Sequence, residues 1–170
     1  ASVGMLIYII FRFKSWKYGF SAIAGVVHDV LIVIAFYGIF GFTVNNPFIA
    51  AILTLVGYSI NDTIVIFDRI RENKRLYRKD GSEVNIDRSI NSTLNRTIMT
   101  SLTTLIVMVP LCIMVSSSIR EFIIPLMIGV IVGCYSSIFI CSPIYYELCK
   151  GSEESKYVKQ IKSKNKKNKK

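Results

Sequence analysis

Four long stretches of the chain are apolar with almost no charged residue, and they dominate its hydrophobic pattern. A helix needs about 20 mostly apolar residues to cross the hydrocarbon core of a membrane, and each stretch is long enough. The predicted transmembrane helices are 19–41, 47–67, 98–118 and 122–146. Segment 1–11 is also apolar but too short to cross, so it is interpreted as the end of another membrane helix of a longer protein.

The segments between these helices complete the predicted fold. Asn46 followed by Pro47 is typical of an N-cap with proline in the first turn, so the second helix is expected to start there. In the connector 68–97, Ile86, Ile90 and Leu94 recur at steps of four, which predicts an apolar stripe on a helix that lies on the membrane surface. The predicted fold class is an all-α polytopic transmembrane helix bundle, with four complete spans, the end of a fifth and a cytoplasmic amphipathic connector.

The charge of the chain is segregated from its apolar stretches. The net charge is +10, although 52% of the residues are hydrophobic and the mean hydropathy is +0.46. Every lysine and arginine except Arg120 falls in 12–17, in the connector 68–97 or in the tail 147–170. By the positive-inside rule, the connector and the basic tail are predicted to be cytoplasmic. The same pattern favours contact with a lipid bilayer over binding of nucleic acid, because the basic residues follow the membrane topology.

Few residues in the sequence suggest catalysis or metal binding. No two of the four cysteines have CxxC spacing and three lie inside predicted spans, so they are interpreted as small apolar residues. The single histidine, His28, is not part of a nucleophile–base set, and no nucleotide-binding loop is present. The sequence therefore predicts neither an enzyme nor a bound cofactor or metal.

Asp62 is an acidic residue inside the second span, in the polar interruption 57–63 that also contains Asn61. An ionised side chain there costs about 2.5–3.5 kcal/mol, so it needs a partner or a role. Arg96, just before the third span, is the predicted partner. Burial disfavours the charged carboxylate and a nearby cation favours it, so a site balanced between the two can bind and release protons near neutral pH. The alternative is a structural ion pair, with Arg96 acting as one more arginine that sets the topology.

Polar residues line one side of the third predicted helix after Arg96. They recur at three- and four-residue steps and so share a face: Thr97, Thr100, Ser101 and Thr104. Such a stripe can hydrogen-bond neighbouring helices or hold water that leads away from Asp62. Together with Asn61, the three threonines complete the predicted proton pathway.

The first full span contains two adjacent ionisable residues, His28 and Asp29. Neighbouring residues of a helix point about 100° apart, so both rarely face lipid. Asp29 shares a face with Ser21 and Gly25, which indicates a close helix contact. The pair is interpreted either as a packing element or as a possible proton relay.

Small residues predict where the helices approach one another most closely. Gly129 and Gly133 are four residues apart on the fourth span, a spacing typical of helix-packing seams in membranes. Gly25 and Gly57 are assigned the same packing role.

Two long motifs resemble those of the SecF family of protein-export membrane subunits. The first is VGYSINDTIVIFDRIREN at 56–73, and the second is RTIMTSLTT at 96–104. Segments 11–13 (FRF) and 24–29 (AGVVHD) are also similar to the family, and the resemblance covers about residues 1–148. The first motif is long and specific, which makes a chance match a poor explanation.

This resemblance implies a fold, a function and a set of partners. Members of the family have six spans with an external domain after the first, pair with SecD or are fused to it, and share a fold with resistance-nodulation-division transporters. They assist the SecY channel and use the proton-motive force to draw exported polypeptides across the bacterial cytoplasmic membrane. The aspartate and arginine implicated in proton passage match Asp62 and Arg96, and the threonines after that arginine line the route.

Two other functions are compatible with the residues. One is a proton-driven efflux transporter of the same superfamily, although the chain shows no substrate-selective feature. The other is a purely structural stabiliser of the translocase, in which Asp62 and Arg96 can both be neutralised without loss of function.

Overall fold

Four long helices make up the part of the chain that the structure, a computed structural model, describes: residues 16–77 and 82–150. In chain order they are α1 (Trp16–Phe40), α2 (Asn46–Leu76), α3 (Ser82–Met114) and α4 (Ser117–Ser136). A π-helical turn, Ser137–Cys141, follows α4 directly, and residues 142–150 are again α-helical. These residues contain no β-strand, so the predicted all-α fold class is confirmed.

Each helix contains a segment long and apolar enough to cross a membrane, and the fourth such segment runs from Ile119 to Lys150 through the π turn. The limits of the membrane itself stay predictions. The predicted third span, 98–118, extends past the end of α3 at Met114, because a short turn separates α3 from α4 at that point. Segment 1–11 and the tail beyond residue 150 lie outside the described residues.

The bundle is organised around α2, which contacts each of the other three helices. At one end its aromatic residue Phe67 packs edge-on against Tyr18 and beside Tyr145, which joins α1, α2 and the C-terminal helical segment. At the other end Phe48 packs against Tyr37, with the buried side chain of Leu55 in the same apolar cluster. The two clusters bury part of α2 at each end, so the polar residues on its buried face lie between helices.

The first and second helices are separated by a short turn with clear end signals. Gly41 has a φ of +66°, and the amide of Phe42 donates back to the carbonyl of Tyr37 at 3.0 Å, an arrangement that ends α1. Asn45 then caps α2, since its side chain accepts from the amide of Phe48 at 3.1 Å. The interpretation of Asn46 as the N-cap was therefore wrong by one position: the helix begins at Asn46, and the side chain that satisfies the free amides is that of Asn45.

The same asparagine joins two helix ends, which gives a first testable consequence. Asn45 Nδ2 donates to the Glu121 carboxylate, and Tyr37 donates to the Glu121 carbonyl at 3.4 Å. Asn45→Ala should lower the free energy of unfolding by about 1 kcal/mol, because it removes the cap and the cross-helix bond. Thermal unfolding in detergent measures this effect, with Thr54→Ala as the control, since the exposed Thr54 hydroxyl bonds only to its own helix. Equal melting temperatures for the two variants would contradict the prediction.

The apolar stripe of the connector packs against other helices. Residues 82–97 are the first half of α3, a single helix that runs without a break to Met114. Ile86 is buried in the same cluster as Ile70 and Tyr145, and Ile90 packs against that cluster. The stripe is therefore covered by α2 and the C-terminal helical segment, and the position of this helix on a membrane surface stays a prediction.

Candidate functional site

Asp62 is buried between helices, with 4% of its surface exposed. It lies on the face of α2 that is turned toward α3. One turn earlier, the Tyr58 hydroxyl contacts Thr104 Oγ1 at 3.4 Å, and two turns later Arg69 Nε donates to Ser92 Oγ at 3.0 Å. Its Oδ2 atom has no hydrogen-bond partner among the described residues. A buried carboxylate oxygen left without a donor is costly in the charged form, so this position favours a group that exchanges a proton.

Arg96 lies on α3 close to this carboxylate. Its charge acts on Asp62, but among the described residues the two side chains form neither a hydrogen bond nor an ion pair. The Arg96 side chain is exposed and lines an open cavity of about 780 Å³ between the ends of α2 and α3, together with Val65 and Asp68. The two predicted partners thus lie on neighbouring helices, but their side chains are not paired in this structure.

The polar stripe on α3 is only partly directed at α2. Thr97 and Ser101 are buried, and Ser101 Oγ has no partner within the described part of the chain. Thr104 is half-buried against Tyr58, whereas Thr100 is exposed and its hydroxyl donates to the backbone of its own helix at Arg96 and Thr97. The expected interhelical bonding therefore does not extend to Thr100, because its hydroxyl is engaged by the preceding turn.

The contacts on either side place Asp62 and Ser101 at about the same height on the α2–α3 interface. Because the helices are antiparallel, the pairs Tyr58–Thr104 and Arg69–Ser92 set the register, and residue 62 falls level with 99 and 100, next to Ser101. Two buried polar atoms without partners thus occur on one interface, Asp62 Oδ2 and Ser101 Oγ. Ser101 was seen in the sequence only as a member of the stripe, and nothing in its spacing set it apart from Thr100.

Asn61 and Gly57 lie on another side of α2 from Asp62. Asn61 is exposed, so the structure does not bring it to the Asp62–Arg96 site. No atom of the described residues lies within 4 Å of a Cβ built at Gly57, so none of them makes a close contact there and its packing role stays a prediction. The reason in both cases is the 100° step between successive helical residues, which turns this side of α2 away from the other described helices.

A second buried polar cluster lies between α1, α2 and the π turn. Asp29 is fully buried and accepts from Ser59 Oγ at 2.5 Å, with His28 Nδ1 at 3.2 Å from its other oxygen. One turn along α2, Thr63 Oγ1 lies 3.0 Å from Ser137 Oγ. Sequence reasoning placed Asp29 at a helix contact but missed Ser59 and Ser137 as its surroundings. The available signal was the pair Ser59 and Thr63 on one helix face.

The other three predicted packing glycines lie at helix contacts. A Cβ at Gly25 would overlap the sulfur of Cys141, and one at Gly129 would overlap the side chain of Leu55. A Cβ at Gly133 would touch Ser59 and the Asp29 carboxylate at 3.5–3.6 Å. Gly25 and Gly133 therefore allow α1, α2 and the end of α4 to approach closely around the second polar cluster.

The described residues show no group of three or more histidine, cysteine, aspartate or glutamate side chains that could hold a metal ion. All four cysteines are free thiols, of which Cys141 and Cys149 are buried. The site is thus made of carboxylates, a guanidinium and hydroxyl groups, which is chemistry suited to moving protons.

The family model described as "Protein export membrane protein SecD/SecF, C-terminal" matches residues 1–151. This chain belongs to the SecD/SecF family. It is 50% identical over 149 residues to a protein translocase subunit SecF from Sebaldella termitidis, and 47% identical over 148 residues to one from Borreliella burgdorferi. Each alignment covers 86% of this chain and 48% of the relative, so the chain spans about half the length of these curated SecF proteins.

Solved SecDF structures have the same fold as this SecD/SecF chain. The crystal structure of SecDF in a super-membrane-facing form has a TM-score of 0.87 at 42% identity, covering 93% of this chain and 21% of that one. The SecDF structure from Thermus thermophilus, a translocon-associated membrane protein, has a TM-score of 0.81 at 46% identity, covering 85% of this chain and 20% of that one. With four helices able to span a membrane, this SecD/SecF chain is a multi-pass membrane protein.

Proposed function

We propose that this chain is the C-terminal membrane part of a SecF subunit, which couples the proton-motive force to protein export across the bacterial cytoplasmic membrane. The observation that carries the proposal is Asp62, a buried carboxylate whose Oδ2 atom lacks a donor and on which the charge of Arg96 acts. The match to the family over residues 1–151 supports the export role, since the relatives are named as translocase subunits. Its role is that of a proton-coupled subunit rather than an enzyme.

The partners follow from the relatives. The similar protein from Thermus thermophilus is a SecDF, so we expect SecD as the direct partner of this chain, either fused or separate. The SecY channel and the exported polypeptides complete the assembly. The concentration of lysine and arginine in 12–17, 68–97 and 147–170 supports a cytoplasmic location for these segments.

The proposed mechanism is a charge switch between α2 and α3. With Asp62 ionised, the attraction of Arg96 draws the two helices together. Protonation from the outer side removes that attraction, so the helices separate or rotate, and release of the proton to the cytoplasm resets the pair. Moving one charge through 100 mV supplies about 2.3 kcal/mol, which biases a two-state change about fifty-fold.

The α2–α3 contact gives a direct test of this switch. In a background without the native cysteines, Tyr58→Cys and Thr104→Cys place thiols on facing positions and leave Asp62 and Arg96 intact. We expect a short bifunctional thiol reagent to cross-link this reporter pair several-fold less efficiently when vesicles carry a proton gradient than after the gradient is collapsed. A second pair, Asn73→Cys and Ser89→Cys, lies on the same interface but outside the predicted spans and serves as the control. A yield that is the same with and without the gradient would contradict the switch.

The alternatives make different predictions. An efflux transporter would show substrate-induced proton flux in the absence of the SecY channel, whereas the proposed subunit would co-purify with SecD and SecY. A structural stabiliser would keep full export when Asp62 and Arg96 are neutralised together.

A further inference from the structure

The second polar face of α2 lies close to the face that carries Asp62. Ser59 precedes Asp62 by three residues, so the two side chains point about 60° apart around the helix axis. Ser59 donates to Asp29 on α1 at 2.5 Å, and Thr63, one turn later on the same face, contacts Ser137 in the π turn at 3.0 Å. Two cross-helix hydrogen bonds to two different elements therefore hold this face of α2.

Asp29 is held by few donors for so deeply buried an acid. The groups that face it are His28 from its own helix, Ser59 from α2 and the Cys141 thiol from the π turn, with the Gly133 backbone beside them. Among the described residues, His28 is the only cationic group that pairs with it, and only when protonated. A buried carboxylate in a membrane helix is costly, so its presence indicates a role beyond packing.

We infer that Asp29 is a positioning residue for Asp62: by accepting the Ser59 hydrogen bond, it fixes the rotation of α2 that directs Asp62 toward α3. The inference rests on the proposed function of Asp62. The geometry favours rotation as the coordinate, because a turn of about 40° moves a backbone Cα by about 1.6 Å and its side-chain oxygen further, which strains both bonds. The same turn carries Asp62 away from Ser101 and Arg96.

The surroundings of Asp29 are built for a close and directional contact. Gly25 and Gly133 remove the Cβ atoms that would keep the helices apart at this level. The π turn shifts the helix by one residue, so that Ser142 Oγ bonds the Ser137 carbonyl at 3.1 Å while Ser137 Oγ is free to meet Thr63. Such single π turns occur most often at functional sites.

Two substitutions of equal size separate positioning from a proton relay. Asp29→Asn keeps an oxygen that accepts from Ser59 but removes the titratable charge, whereas Asp29→Leu fills the volume without an acceptor. In the complete complex with SecD, reconstituted with the SecY channel, we expect Asp29→Asn to retain most of the proton-dependent export. We expect Asp29→Leu to lose about tenfold or more, the effect of a buried hydrogen bond to a charged group.

Ser59→Ala gives an independent readout that does not depend on export. It should lower the cross-linking yield of the reporter pair at 58 and 104 in detergent, because α2 is no longer held in rotation. Ser21→Ala is the matched control, since Ser21 is an equally buried serine whose hydroxyl bonds only to Lys17 of its own helix. Ser59→Thr, which keeps the hydroxyl, should restore the yield, whereas Ser59→Cys, which keeps the volume, should not.

Each result supports or overturns the inference. Loss of export in Asp29→Asn would make Asp29 a relay, and full export in Asp29→Leu would make it dispensable; either outcome overturns positioning. If Asp29→Leu fails to assemble, the cross-linking experiment decides instead. An unchanged cross-linking yield in Ser59→Ala would then overturn positioning. A changed yield combined with normal export by an Asp62 variant would instead leave the positioning intact and overturn the proposed function of Asp62.

Discussion

Asp62→Asn should abolish the proton-dependent part of protein export while the protein still inserts and folds. The amide has nearly the same size as the carboxyl group and fits the same buried position, but it cannot bind and release a proton. Removing the charge also removes the attraction to Arg96, so the α2–α3 contact stays in one state whatever the gradient. Because the gradient biases the switch about fifty-fold per 100 mV, the loss should be tenfold or more and reach the rate seen without a gradient.

Export into inverted membrane vesicles measures this effect, with the gradient supplied or collapsed and the ATP-driven step held constant. Asp87→Asn is the matched control, because Asp87 is an exposed carboxylate of α3 outside the predicted spans. Its side chain accepts a weak hydrogen bond from Asn91 at 3.4 Å. The control should export at the normal rate. Normal gradient-dependent export by Asp62→Asn would remove the basis of the proposed mechanism.

The helices could be predicted from the sequence because each is set by a long apolar stretch, a signal that does not depend on neighbours. The rotation of each helix about its own axis, which decides which residues are buried, could not be predicted in this way. Asn61 and Asp62 are adjacent in the polar interruption, and their composition gives no reason to separate them. Their difference in exposure depends on where α1, α3 and α4 lie around α2, which is decided by packing between residues far apart in the chain.

A local sequence pattern also could not predict which residues contact each other across helices. Asp29 is bonded by Ser59 from another helix, and the π turn that places Ser137 beside Thr63 also packs Cys141 against Gly25. The continuity of α3 is a similar case. Its Ile86 stripe has the period of a surface helix, and only the presence of Ile70 on α2 opposite it shows that the stripe is buried inside the bundle.

The two polar clusters have a common position in the fold, since both are carried by α2 within one helical turn. Asp62 meets α3 with an unpartnered oxygen, whereas Ser59 and Thr63 meet α1 and the π turn with satisfied bonds. At this level of the bundle, one side of α2 thus makes satisfied bonds to its neighbours, whereas the other side carries a buried oxygen without a donor. A helix that moves in response to one proton needs this asymmetry. An interface whose polar groups are all hydrogen-bonded has no second arrangement of similar energy, and an interface whose polar groups all lack partners has no defined initial arrangement.

Gly25→Ala should destabilise the bundle, because the added methyl group would occupy the position of the Cys141 sulfur. Cys141 cannot withdraw easily, since it is 1% exposed and its sulfur lies 3.7 Å from Thr63 Oγ1. Overpacking of this kind costs about 1–3 kcal/mol, more than the helix propensity gained by replacing glycine with alanine returns in a tightly packed site. We expect a lower melting temperature in detergent, measured with the native cysteines in place, because the clash is with the Cys141 sulfur.

Gly38→Ala is the control on the same helix, because no atom of the described residues lies within 4 Å of a Cβ at that position. It should leave the melting temperature unchanged or raise it slightly. Cys141→Gly combined with Gly25→Ala should restore part of the lost stability, since it removes the atom that the new methyl group meets. Equal melting temperatures for Gly25→Ala and Gly38→Ala would show that α1 and the π turn are not held in contact at Gly25. In that case the close approach that seats Asp29 against Ser59 would have to come from Gly133 alone.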